Sequence, residues 1–198
     1  MSKIIGLTGG IGSGKTTLAT YIESLGIPVF IADDEAKKLM QSDEVLREIK
    51  AVFGEAVFEK GQLNRQELAS IVFSNPEKLS QLNGIIHPAV KRQFKIWLDE
   101  NQSAPFVVYE AAILFESGSY QNCDSIITIT TPLEDRIARV MQRDNSSREQ
   151  VLNRINAQWT DEQRAAKSNF IIENTDPQNA KSQLDEILKI LKIQQNEA

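Results

Sequence analysis

Gly9-Gly10-Ile11-Gly12-Ser13-Gly14-Lys15-Thr16 fits the spacing G-x-x-x-x-G-K-[ST] without a mismatch, and each residue type in it suits one task in holding a chain of phosphates. Glycines let successive backbone N–H groups converge on one point and let an anion approach closely. A helix starting near Gly14 adds the positive end of its dipole and unpaired donors. Lys15 reaches the β- and γ-phosphates as a mobile point charge. The Thr16 hydroxyl suits Mg²⁺, a hard cation that keeps several waters. A merely flexible glycine turn is the bland alternative, and the motif's position between an apolar run and a helix speaks against it. The pattern predicts a nucleoside triphosphate site.

Phosphate binding alone does not separate a GTPase, a motor or transporter ATPase and a small-molecule kinase. No Asn-Lys-x-Asp tetrapeptide, the guanine reader of a GTPase, occurs in the chain. A metabolite kinase needs a carboxylate near the acceptor hydroxyl and cations that close over the transferring phosphoryl group. Asp33, just past an apolar run, is a candidate for accepting or orienting the hydroxyl proton, with capping of the following helix by Asp33 or Asp34 as the equal alternative. Arg136, Arg139 and Arg143 share one helical face. By itself such a row is a solvated surface, but beside a phosphate loop it can form a mobile lid that stabilises phosphoryl charge and excludes water. Arg148 and Arg154 follow on the next segment. Glu110 stands where an acidic residue near Mg²⁺ or its water is expected. His87, the single histidine, precedes Pro88, which predicts a helix break there.

The elements that must position these groups alternate. Short, continuously apolar runs at 4–8, 27–31, 106–109, 125–130 and 169–172 read as buried parallel strands, with helical segments between them and right-handed crossovers implied. The first helix spans Lys15 to Leu25 and stops at Gly26. Residues 34–101 break the rhythm: about four helices and no convincing strand, with cap signals at Asn64/Glu67 and Asn75-Pro76 and a turn marked by Gly54 and Gly61. This predicts a helical insert for the second substrate. Further caps are expected at Thr131-Pro132-Leu133-Glu134, Ser147/Gln150 and Thr160/Gln163, and a last amphipathic helix opens at Asp176-Pro177. The reading is an α/β fold with a five-stranded parallel sheet. Residues 1–33 and 102–198 form its nucleotide-binding core, about 132–160 its lid and 34–101 its acceptor-binding insert.

Composition narrows the partners. The chain has 198 residues, a net charge of −5, 41% hydrophobic and 25% charged residues, which is ordinary globular usage. An acidic balance speaks against a nucleic-acid or anionic-membrane surface. Cys123 is the single cysteine, so no internal disulfide or zinc cluster is expected. Met1-Ser2-Lys3-Ile4-Ile5-Gly6 runs straight into the loop and no apolar stretch is long enough to span a bilayer, which predicts a cytoplasmic protein. A monomer is expected.

These residues resemble the dephospho-coenzyme A kinase family within the P-loop kinases, along nearly the whole chain. The resemblance rests on Gly6 through Thr17, Gly26-Ile27-Pro28-Val29 leading to Ala32-Asp33, Ile86-His87-Pro88, Ile113-Leu114-Phe115-Glu116, Arg143-Asp144 with Ser147-Arg148-Glu149, and Asn174. It implies a three-layer P-loop fold and Mg²⁺-dependent transfer of the ATP γ-phosphoryl group to the 3′-hydroxyl of the ribose of dephospho-coenzyme A. It also implies catalytic roles for Asp33, Lys15 and Arg139. ATP would be bound by Gly10, Gly12, Ser13, Gly14, Lys15, Thr16, Thr17, Arg143 and Asn174, and the metal by Thr16. The acceptor would be held by Asp33, His87 and Glu116. The chain departs from the family at Ile31, where an acidic residue is common, and at Glu110, where aspartate is more usual. Another P-loop kinase, of nucleoside or nucleotide type, and a slowly hydrolysing nucleotide switch are the competing readings.

Overall fold

A computed structural model describes residues 2–196. In chain order, β1 (Lys3–Gly9), α1 (Lys15–Ser24) and β2 (Val29–Ile31) come first. They are followed by α2 (Ala32–Leu39), α3 (Asp43–Phe53), β3 (Phe58–Glu59), β4 (Gln62–Leu63), α4 (Arg65–Phe73) and α5 (Pro76–Glu100). Then come β5 (Phe106–Glu110), β6 (Ser125–Thr130), α6 (Leu133–Asp144), α7 (Arg148–Asn156), α8 (Asp161–Ala165), β7 (Phe170–Glu173) and α9 (Pro177–Asn196). The chain divides into two compact units, Met1–Ile31 with Glu100–Ala198, and Ala32–Asp99.

The first unit is built on a five-stranded parallel sheet in the order β2-β5-β1-β6-β7. All five positions of β5 and the last five of β1 are buried, as strands covered on both faces require. Leu18, Ala19 and Ile22 of α1 and Ala180, Leu184, Ile187, Leu188 and Leu191 of α9 pack against Ile5, Leu7, Ile127, Ile129 and Ile172. The chain leaves β1 for one side of the sheet and returns to the other, so the loop after β1 emerges at the switch point, at the carboxyl ends where ligands of such sheets sit.

The second unit is helical apart from a small hairpin that the sequence did not lead us to expect. β3 pairs with β4, and Lys60 (φ 51°) and Gly61 (φ 80°) form the turn. Two consecutive left-handed residues match the twist of a tight hairpin, and four paired residues are too few to leave an alternating pattern. The helix break expected at His87-Pro88 is also absent, because α5 runs through Pro88. Proline removes the bond to the carbonyl four residues earlier, which here is Gly84. Both Gly84 and Pro88 are exposed, so the released carbonyl faces water, and no side chain at Gly84 obstructs the adjustment. The caps at Asn64 and Asn75 form as expected. Asn64 Oδ1 accepts from Glu67 N–H at 3.1 Å, and Asn75 Oδ1 from Glu77 and Lys78 N–H at 2.9 and 3.1 Å.

Candidate active site

The loop between β1 and α1 is held from outside by its carbonyls. Arg136 Nε donates to Ile11 O at 2.9 Å and Arg139 Nη1 to Gly12 O at 3.5 Å. Ser13 O accepts from Asn174 Nδ2 at 2.7 Å and from Thr131 Oγ1 at 3.1 Å. In a trans peptide the N–H points opposite to the C=O. Drawing these three carbonyls outward therefore turns the amides of Gly12, Ser13 and Gly14 the other way. Ser13 N–H closes a turn on Gly10 O at 3.1 Å. At the start of α1, the first-turn amides have no acceptor within the helix by construction. The result is a concave set of donors at a helix N-terminus, an anion cradle.

Close approach requires glycine at several loop positions, two of them against the side chains that hold the loop. At Gly10 a Cβ would collide with the guanidinium of Arg136. At Gly14, where φ is 92°, it would collide with Asn174 Nδ2. Any other residue at these positions would push away the side chains that hold the loop.

Lys15 is buried, and its Nζ donates to Gly9 O at 2.9 Å and Gly10 O at 3.4 Å. Thr16 and Thr17 are exposed at the first turn of α1, on a depression of about 470 Å³ that Thr20, Tyr21, Ser24 and Lys181 also line. Arg139 Nη2 donates to Asn174 O at 3.1 Å, so the arginine bridges the loop and the end of β7. Gly10, Gly12, Ser13, Gly14, Lys15, Thr16, Thr17, Arg139 and Asn174 thus come together.

Arg143 behaves differently. It is exposed and engages Asp144 at 2.7 and 3.0 Å, and Arg154 holds the same carboxylate at 2.6 Å, which keeps Asp144 far below the usual carboxylate range. Arg148 pairs with Glu134. The row expected to present one basic face therefore splits: Arg136 is buried on the loop, Arg139 touches it, and Arg143 lies outside. Glu116 is turned into the fold. Its Oε1 accepts from Trp159 N–H at 2.9 Å and lies 3.6 Å from Arg164 Nη2. Burial draws the Arg164 guanidinium below its ordinary value, while Glu116 and Asp161 pull it up.

Thr131 does not cap α6. Its hydroxyl is taken by Ser13 O and by Asn174 O at 3.2 Å, and Pro132 occupies the cap position. Ser147 and Thr160 form the capping boxes expected of them, with Gln150 and Gln163. In the second unit, Asp33 is the second residue of α2 and is exposed; with Asp34 it lies inside the first turn, where neither is the cap. Acidic side chains there favour the helix dipole. His87 is half-buried in α5, and burial lowers its pKa below 6.5.

The family model for dephospho-CoA kinase matches residues 3–179. The chain belongs to the dephospho-CoA kinase family. A Bacteroides fragilis dephospho-CoA kinase is 40% identical over 188 residues, which cover 94% of this chain and 92% of that protein. A crystal structure from Thermus thermophilus aligns with a TM-score of 0.87 at 38% identity, over 96% of this chain and 98% of the other. Dephospho-CoA kinase from Campylobacter jejuni aligns at 0.70 and 29% identity, over 97% and 98%.

The loop's support extends beyond its motif, to Thr131, Arg136, Arg139 and Asn174. Gln158, whose Oε1 accepts from Ile11 N–H at 2.9 Å, and Arg164, which faces Glu116 on a distant segment, carried no signal in the sequence, whereas Thr131 carried only the local pattern of a cap. Among the described residues no helix is long and apolar enough to cross a membrane.

Proposed function

We propose that the phosphate loop delivers the γ-phosphoryl group of ATP to the 3′-hydroxyl of the ribose of dephospho-coenzyme A, the last step of coenzyme A synthesis. The observation that carries this reading is the outward capture of the Ile11 and Ser13 carbonyls, which turns the opposite amides of Gly12 and Gly14 the other way, toward an anion in this reading. Lys15 exchanges the Gly9 and Gly10 carbonyls for phosphate oxygens when nucleotide arrives. Arg139 stabilises the charge that spreads over the transferring group. Asn174, beside the loop, contacts the adenine end, and Arg143 joins the phosphates by releasing Asp144.

In this reading Asp33 accepts or orients the proton of the attacking hydroxyl. The acceptor oxygen forms a bond to γ-phosphorus as the bond to the β–γ bridging oxygen breaks, ADP leaves, and the proton passes to the carboxylate. His87 belongs to the acceptor side. Glu116 acts there through Trp159, whose N–H its carboxylate holds, rather than by touching the acceptor.

Thr16 fits a magnesium ion: its hydroxyl is a hard oxygen donor, exposed at the helix start, and the ion in such sites takes its other oxygens from phosphates and water. The described residues contain no cluster of three or more His, Cys, Asp or Glu side chains that would hold a cation without nucleotide. When bound, the metal neutralises charge on the phosphates. We also read the protein as a cytoplasmic monomer.

Coupled ADP release with ATP, Mg²⁺ and dephospho-coenzyme A, AMP, shikimate or thymidylate as rival acceptors tests the assignment. Turnover is expected with dephospho-coenzyme A alone; preference for any other acceptor overturns the substrate.

A further inference from the structure

Ile11 sits at the middle of the phosphate loop, and its amide, carbonyl and side chain are all held by segments that follow β6. Its N–H donates to Gln158 Oε1 at 2.9 Å, and its carbonyl accepts from Arg136 Nε at 2.9 Å. Its side chain packs on Ile137, Val140 and Val151, the apolar cluster of α6 and α7.

Both polar contacts trace back to Arg164, which is fully buried. Arg164 Nη1 donates to Asp161 Oδ1 at 3.1 Å, and the other oxygen of Asp161 accepts from Arg136 Nη1 at 3.2 Å. On its other side Arg164 Nη2 lies 3.6 Å from Glu116 Oε1, which holds the N–H of Trp159, the residue after Gln158. One cation therefore orients the carboxylate that aims Arg136 and the carboxylate that fixes the main chain beside Gln158.

As a stabilising device this cluster is poor. Arg164 Nε and Nη2 and Glu116 Oε2 are buried without hydrogen-bond partners, and an incompletely satisfied buried ionic cluster is worse than apolar packing. What it does supply is direction at Asp161, which the guanidinium holds through Nη1, and positive charge beside Glu116.

The direction matters at two peptide units. With Ile11 N–H turned out to Gln158, the carbonyl of the same peptide, Gly10 O, points the opposite way, where it accepts from Ser13 N–H at 3.1 Å and Lys15 Nζ at 3.4 Å. With Ile11 O turned out to Arg136, the Gly12 amide faces away from it. We propose that Gln158 and Arg164 are positioning residues that stop these two peptides from flipping, so that ATP affinity is set from α6, α7 and α8 as well as from the loop. The inference rests on the reading of this loop as an ATP site.

Steady-state kinetics of Gln158→Ala and Gln158→Glu decide it. Loss of one hydrogen bond that holds the binding geometry raises KM for ATP by about three- to tenfold, with kcat changed less than twofold and the thermal midpoint unmoved. Gln158→Glu retains an acceptor for Ile11 N–H and returns KM to within about twofold of wild type, a rescue that a merely structural glutamine would not produce. Arg164→Lys, which keeps the charge and loses the fork, moves KM in the same direction. If that variant unfolds, the Gln158 pair carries the decision alone.

A wild-type KM in Gln158→Ala, or a Gln158→Glu as weak as the alanine variant, overturns the positioning role. Direct titration of wild type with ATP separates the two claims. Absence of binding overturns the ATP reading, whereas normal binding beside an indifferent Gln158→Ala overturns the positioning role and leaves the ATP reading intact.

Discussion

The two compact units solve different problems with different materials. Among the described residues, the buried polar and charged side chains are Thr8, Ser13, Lys15, Glu110, Thr128, Thr131, Arg136, Arg164 and Asn174, and all lie in the sheet-based unit. The fully buried side chains described in the helical unit are apolar, among them Val45, Ile49, Leu68, Val72, Ile85, Ile86 and Phe94. Of its ion pairs, Lys37–Asp34, Lys50–Glu55 and Arg92–Glu44 are exposed at both partners and contribute about 0–1 kcal/mol each, while Lys38–Glu35 is exposed at the lysine. Buried polar networks fix angles at a cost in desolvation, while apolar helix packing fixes a shape more loosely. In the proposed reading, the first lies where a flexible triphosphate must be aligned and the second where the acceptor, a large molecule, must be accommodated.

This contrast breaks first at Lys15. Replacing it by alanine removes the cation that holds the Gly9 and Gly10 carbonyls and is expected to lower kcat/KM by about a thousandfold, a loss of the order seen when one preorganised donor is deleted. Both ATP binding, measured by titration, and turnover should fall. Robust catalysis without the lysine would show that the network serves something other than phosphate.

Asp33 sharpens the comparison from the other unit. Asp33→Asn keeps the shape and removes the proposed proton acceptor, so transfer to dephospho-coenzyme A should fall by about a hundredfold or more, with ATP affinity within twofold of wild type. If the substitution weakens ATP binding as much as turnover, the division of labour between the units is wrong. The same titration that measures the Lys15 variant measures this one.

What the sequence made legible followed the range of each interaction. The phosphate loop was visible because its function demands fixed types at fixed spacing, and the boxes at Ser147/Gln150 and Thr160/Gln163 because a cap closes within three residues. The sheet was visible from its continuous apolar runs. Thr131 was misread because a local pattern for a cap also suits a hydroxyl that reaches 118 residues back to Ser13. Gln158 was invisible for the same reason: its partner is 147 residues away, and glutamine in a helical connection carries no signal of its own. Pro88 misled because the rule for proline is local, whereas the tolerance of α5 for it depends on which face of the helix meets water.

His87 supplies the smallest and most local test, inside the helical unit itself. Burial is the single cause that lowers its pKa below 6.5, so the folded chain holds it neutral at pH values where the unfolded chain already takes up a proton. Between the lowered folded value and 6.5 the unfolded state binds more protons, and stability falls as acid is added. The contribution is complete above pH 6.5 and lost as pH falls through the folded value. His87→Gln cannot take up that proton. Urea midpoints measured at pH 7.5 and pH 5.5 should therefore drop less in the variant than in wild type, while the carboxylates common to both cancel in the comparison. Because the side chain is only half-buried, the difference should be small, and ATP binding should not change. Equal drops in the two proteins would mean that the imidazole is as well solvated folded as unfolded. A rise in KM for dephospho-coenzyme A with equal drops would then leave His87 as an acceptor contact and remove it as a buried helix side chain.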